Sequence, residues 1–133
     1  MLKIAIAQIN FLVGNIAENV KQIIKSAEYA RDSLQADIVV FPELTVTGYP
    51  AEDLLLRKDF ITAANNALYQ LAEQITGIAV VVGFPELDGE DLYNSAVVLN
   101  QSVVLASYRK QALPNYGVFD EQRYFCEGSK PCV

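Results

Sequence analysis

Apolar and polar positions divide the chain into short apolar runs alternating with longer stretches at helical spacing. Residues 2–9, LKIAIAQI, carry Leu2, Ile4 and Ile6 on one side and Ala5 and Ala7 on the other. Apolar positions on both sides of an extended segment predict a central strand covered on two faces. A loop follows from Asn10 to Gly14, and Asn15 with Glu18 three residues on has the form of a capping box. Ile16, Val20, Ile23, Ile24, Ala27, Ala30 and Leu34 then recur at helical spacing, predicting an amphipathic helix to about Gln35.

Residues 37–42 rise through Asp37-Ile38-Val39-Val40-Phe41, stop at Pro42, and predict a second strand. The chain turns through Gly48-Tyr49-Pro50, and a short helical turn is expected at residues 51–55, with Pro50 near its start. Ile61, Ala64, Leu68 and Leu71 predict a second long helix, from about residue 60 to residue 74. The β-branched run at residues 78–84 reads as a third, buried strand. Residues 92–99 and 103–108 predict two more, joined by a tight hairpin at Asn100-Gln101. Residues 111–133 read as an ordered loop rich in Pro, Gly and aromatics. The order β-α-β-(short α)-α-β-β-β predicts a layered α/β sheet that begins with parallel crossovers and ends in an antiparallel meander. A sheet that ends on a loop is expected to have an edge in need of cover, so residues 1–133 read as the N-terminal part of a longer protein.

Composition narrows the chemistry. The 133 residues suffice for one domain with a substantial core. A net charge of −6, with acids and bases interspersed, argues against nucleic acid or an anionic membrane surface as the partner. No apolar run approaches the ~20 residues of a membrane span and the N-terminus has no cleavage-site pattern, so a cytoplasmic location is expected. Two cysteines, Cys126 and Cys132, both near the end, do not make a disulfide framework. There is no histidine, which removes Ser-His and Cys-His catalysis and His-ligated zinc. Any general base must then be a carboxylate, a lysine or a tyrosine.

Glu43 follows the second strand directly. A carboxylate at the lip of a buried strand costs desolvation energy unless the site uses it, although a solvated acid at a strand end is the plain alternative. Lys110 stands at the end of the last strand, where a lysine is either a surface residue or a second candidate. If the two strands share one sheet and one sense, Glu43 and Lys110 meet at one rim and help hold each other ionised. The stretch after Lys110 carries Tyr116, Phe119, Tyr124 and Phe125 with Asp120, Glu121 and Arg123. It forms a lid or pocket wall, or its aromatics pack on the sheet edge while Arg123 pairs with an acid.

FPELTVTGYPAEDLL, YRKQALPN and VFDEQRYF together resemble the carbon-nitrogen hydrolase (nitrilase) superfamily. GYPAEDLLLRKDF and LPNYGVFDEQRYF narrow the resemblance to the glutamine amidotransferase domains of the bacterial glutamine-dependent NAD synthetase branch. The resemblance implies an α-β-β-α sandwich of which these residues are the N-terminal portion, with the rest of that domain and an ATP-using synthetase domain lying outside them. It implies a Glu-Lys-Cys triad in which Glu43 is the general base and Lys110 stabilises the oxyanion. By the same resemblance Glu121 supports the lysine and the substrate, and Tyr49 and Tyr116 line the glutamine pocket. Neither Cys126 nor Cys132 has the family's strand-to-helix context for the nucleophile, so that cysteine is expected elsewhere. The implied substrate is glutamine, with no cofactor in this part. ATP, magnesium and deamido-NAD are expected at the synthetase domain, and the family's habit of sheet-and-helix association implies a homo-oligomer. A stand-alone amidase of the ω-amidase kind and a non-catalytic assembly fragment are the alternatives.

Overall fold

The computed structural model describes residues 1–131. Its strands are β1 (Ile4–Ile6), β2 (Ile38–Val40), β3 (Ala79–Asp88), β4 (Asp91–Asn100) and β5 (Val103–Arg109). Its helices are α1 (Ile16–Asp32) and α2 (Lys58–Gln74), with short 3-10 turns at Glu52–Leu56 and Glu121–Arg123. One five-stranded sheet runs in the order β1-β2-β3-β4-β5. The first two pairings are parallel and the last two antiparallel, as the pattern predicts. Two reversals return β5 to the sense of β2 and β3.

Helix α1 begins where its sequence says it should: the Asn15 side chain accepts a hydrogen bond from the Glu18 N–H, satisfying one of the orphan donors of the first turn. Its buried positions Val20, Ile23, Ala27 and Ala30 join Ala64, Leu68 and Leu71 of α2 against Val39, Val80, Val82, Val97 and Leu99 of the sheet. Val80 and Val82 are fully buried, and each contributes roughly 1.5–3 kcal/mol relative to exposure. Helix α1 stops at Asp32 and leaves Leu34 exposed, short of the expected end.

Two expectations need correcting. Strand β1 is not a central strand covered on both faces; among the described residues it is the sheet edge, with Ile4 55% and Ile6 76% exposed. Only its alanine side meets the helices. The third strand does not stop at Phe84. It continues through Pro85 to Asp88 and turns over Gly89-Glu90 into β4, with Asp88 opposite Asp91. Gly89 has φ +63°, the left-handed conformation such a two-residue turn requires. The second hairpin turns at Gln101-Ser102, one residue later than expected, with φ +50° and +65°.

A smaller cluster of Leu44, Ala51, Leu55, Ile61, Leu113 and Phe125 fastens the loop after β2 to the loop after β5. That cluster holds together two segments that lie far apart in the chain.

Candidate active site

The acid is carried on a turn that the sheet itself supports. The Phe41 N–H donates to the Val81 carbonyl at 2.9 Å, and the Val46 N–H to the Gly83 carbonyl at 3.2 Å, so residues 42–45 cross over β3. Gly83 makes the crossing possible. A Cβ there would stand 2.5 Å from the Leu44 nitrogen and 2.9 Å from the Pro42 oxygen. Within the turn the Thr45 hydroxyl donates to the Pro42 carbonyl, and the Thr47 hydroxyl to the Leu44 carbonyl at 3.1 Å. Buried Asn19 of α1 clamps it from outside, donating to the carbonyls of Leu12 at 2.9 Å and Val46 at 3.1 Å. Asn19, Thr45 and Thr47 are at most 1% exposed, and their polar atoms bond locally, which limits the desolvation cost.

Because β5 shares the sense of β2, Lys110 arrives at the same rim as Glu43. The Lys110 N–H donates to the Asn94 carbonyl at 2.8 Å, and its own carbonyl accepts from the Gly128 N–H at 2.9 Å. Gly128 repeats the device of Gly83, since a Cβ there would overlap the Arg109 carbonyl. The Lys110 ammonium donates to Glu43 Oε1 at 2.8 Å and to Glu121 Oε1 at 2.9 Å. Asn94 Nδ2 donates to the same Glu43 Oε1 at 2.6 Å. Partial burial pushes the Lys110 ammonium toward losing its proton, but its bonds and Coulomb attraction to Glu43 and Glu121 prevail and hold its pKa above the ordinary lysine value. Glu121 sits on the short turn after Asp120, its side chain 10% exposed, and no protein group within the described residues bonds its Oε2.

A cavity of about 520 Å³ opens beside this array, lined by Leu44, Tyr49, Leu55, Phe119, Glu121 and Tyr124 among others. Glu43 and Lys110 are not among its lining residues; Glu121 links it to the lysine. Tyr49 lines the cavity, and its pKa is raised by desolvation first and by the negative charges of Glu43 and Glu121 second. Tyr116 does not line it: the ring is 72% exposed and stacks edge-on against Phe119 at 5.7 Å. The aromatic loop divides between both expected roles. Phe125 is buried and lines the cavity too, and Arg123 pairs with Asp53 at 3.0 Å.

Cys126 stands apart from the array. Its thiol is held near Asp91 Oδ1 at 3.6 Å, and burial and then the Asp91 charge raise its pKa, the reverse of an activated thiolate. Cys132 lies outside the described residues. Among those residues no group of three or more His, Cys, Asp or Glu is gathered to hold a metal ion. No helix among them is long and apolar enough to cross a membrane.

Residues 3–133 match the carbon-nitrogen hydrolase family. The glutamine-dependent NAD(+) synthetase of Xanthomonas campestris pv. campestris is 50% identical over 124 residues, covering 93% of this chain and 22% of that protein. The structure of glutamine-dependent NAD+ synthetase from Acinetobacter baumannii superposes with a TM-score of 0.92 at 44% identity, over 97% of this chain and 24% of that one. An amidase from Nesterenkonia sp. superposes with a TM-score of 0.79 at 27% identity, over 98% of this chain and 49% of the amidase. The chain thus spans less than a quarter of the length of both synthetases and about half of the amidase.

Proposed function

The chain belongs to the carbon-nitrogen hydrolase family, and on that premise we propose that it forms part of the glutamine-hydrolysing site of a glutamine-dependent NAD(+) synthetase. The observation that carries the reading is the single ammonium of Lys110 held 2.8 Å from Glu43 and 2.9 Å from Glu121, beside a cavity large enough for an amino acid. The two carboxylates leave the array with an excess negative charge, so one of them can accept a proton while the lysine stays charged. The chemistry needs no histidine.

In this reading Glu43 takes the proton of a cysteine thiol supplied from outside the described residues, since Cys126 has neither the position nor the environment of a nucleophile. The thiolate attacks the side-chain carbonyl carbon of glutamine, and Lys110 stabilises the oxygen as it takes up negative charge. Collapse breaks the C–N bond while Glu43 returns its proton to the leaving nitrogen, releasing ammonia and leaving a thioester. Water, deprotonated by Glu43, attacks the thioester carbon. The C–S bond breaks, the sulfur regains a proton, and glutamate departs. Glu121 holds Lys110 through Oε1 and keeps a buried, unpartnered Oε2, while Tyr49 stands with it on the cavity wall. The ammonia is used by an ATP- and magnesium-dependent synthetase part, which amidates deamido-NAD. Oligomeric assembly in the cytoplasm is part of the same reading.

The test uses the complete protein bearing Glu43→Gln. NAD formation driven by glutamine is expected to be lost, while formation driven by added ammonia persists. Glutamine-driven synthesis at the normal rate would remove Glu43 from the chemistry. Amide hydrolysis with no ammonia-driven NAD formation in the unaltered protein would favour the stand-alone amidase, the reading that the Nesterenkonia likeness supports.

A further inference from the structure

We infer that Asn94 is a positioning residue for Glu43, fixing Oε1 of the carboxylate so that Oε2 is the oxygen that exchanges the proton. This inference rests on the hydrolase reading above. Asn94 lies within β4 and is 4% exposed, with its side chain directed at the loop that crosses β3. Its Nδ2 meets Glu43 Oε1 at 2.6 Å across 51 residues of sequence. The amide must present its NH2 there, because an amide oxygen that close to a carboxylate oxygen would be repelled.

The same residue also fixes the lysine. The Asn94 backbone carbonyl accepts the Lys110 N–H at 2.8 Å, so side chain and main chain of one strand residue set both members of the ion pair. Lys110 Nζ and Asn94 Nδ2 converge on Oε1 of Glu43, and among the described residues no hydrogen bond reaches Oε2. The two oxygens are therefore inequivalent before any substrate arrives. Oε1 has two donors and Oε2 keeps its lone pairs free for a proton.

A neutral donor suits this role better than a second cation. It orients the carboxylate without adding charge, and it stays in place when the Lys110 ammonium turns part of its bonding toward a developing oxyanion. Held by the flexible lysine alone, the carboxylate could rotate, and misplacement of a reacting group by an ångström lowers rates by about 10²-fold. The charged and titratable groups facing Glu43 are Lys110, Glu121 and Tyr49. Lys110 and Glu121 are charged, and Tyr49 makes no hydrogen bond to Glu43 among the described residues, so Asn94 is the neutral donor that holds the carboxylate.

The experiment measures the pH dependence of glutamine hydrolysis in the complete protein bearing Asn94→Ala, Asn94→Asp or Glu43→Gln. Circular dichroism and the thermal midpoint accompany each variant. Asn94→Ala is expected to lower kcat by about 10²-fold with little change in KM. The acid limb of its profile should move to higher pH, because a donor that favours the ionised carboxylate is gone. Asn94→Asp keeps the shape and places a like charge against Oε1, so its acid limb should move further still. A folded Asn94 variant with the acid limb of the unaltered protein overturns the inference, whatever its rate. If Asn94→Ala does not fold, the isosteric Asn94→Asp carries the test alone, and its failure to fold assigns Asn94 a structural role and also overturns the inference. Full activity in Glu43→Gln would instead remove the underlying hydrolase reading, so the two failures are distinguishable.

Discussion

Arg109 and Lys110 are neighbours in sequence, each holds two carboxylates, and they stand on opposite faces of the same strand end. Arg109 donates to Glu86 Oε1 through both Nε and Nη2, at 3.0 and 2.5 Å, and to Asp88 at 2.8 Å. Its guanidinium also lies 4.1 Å from the Tyr93 ring centre. That cluster is closed: Glu86 takes a further bond from Ser107, and none of these residues lines the cavity. Lys110 is different. Its two acids come from loops 78 residues apart in sequence, fastened by their own small apolar core, and one of them, a cavity-lining residue, keeps a buried oxygen unpartnered among the described residues. A satisfied ion-pair network is structural, and an incompletely satisfied one beside an opening is poised for a ligand. What separates the two is which face of the strand they occupy, not the residue types.

The sharpest way to break this comparison is to remove each cation in turn from the complete protein. Lys110→Met is expected to lower glutamine hydrolysis by about 10³-fold, the scale of losing an oxyanion donor, and to cost stability as well, because Glu121 is left part-buried without its partner. Arg109→Met is expected to lower stability alone, by about 2 kcal/mol, because Glu86 is left part-buried without its partner. Turnover then stays close to that of the unaltered protein. Steady-state rates and urea midpoints measured on both variants check the pair, and an exchange of the two outcomes sinks the distinction.

Next in size is Gly83→Ala, which puts a methyl group into the turn that carries Glu43. Backbone on that scale of overlap has to move, at about 2 kcal/mol, and the acid moves with it. Both the midpoint and the rate should therefore fall. A variant that lost stability but kept its rate would mean that the position of Glu43 is set elsewhere.

The finest test separates the clusters by pH. Desolvation pushes the Glu86 carboxyl up, but Arg109 and its neighbours outweigh it and hold the pKa below the usual carboxylate range. Its contribution to stability is therefore present above the unfolded value of about 4.3 and is lost as pH falls through the folded value. Lys110 is raised, so its contribution is complete below about pH 10.4 and lost as pH rises past the folded value. Thermal midpoints followed from acid to alkali should flatten on the acid side in Arg109→Met and on the alkaline side in Lys110→Met. Identical profiles in the two variants would contradict the assignment.

The sequence carried more of this than the difference between two adjacent basic residues suggests. The element order, the sense of β2 and β5, and the meeting of Glu43 with Lys110 follow from apolar runs and from what ends them. The β-branched run that marks β3 ends at Phe84, whereas the strand continues through Pro85, whose carbonyl accepts from Asn65 of α2 at 2.9 Å. Strand β1 misled because apolar residues on both sides suggest cover on both faces, and only the alanine side is covered by the described residues. Asn94, Gly83 and Gly128 gave no local signal. Their importance comes from loops that cross over them in space, and an asparagine or a glycine in a strand pattern does not announce what lies above it. Tyr49 and Tyr116 looked alike in the sequence, and only Tyr49 faces the cavity.

The central claim is that Glu43, set against Lys110, is the base of an amide-hydrolysing site. The most direct measurement is single-turnover release of ammonia from glutamine by the complete protein, with and without Glu43→Gln. A glutamine side chain keeps the size and the bonds to Asn94 and Lys110 but cannot take the thiol proton. The first turnover is predicted to slow by about 10³-fold, within the span of losing a general base. A first turnover at the rate of the unaltered protein would contradict the account.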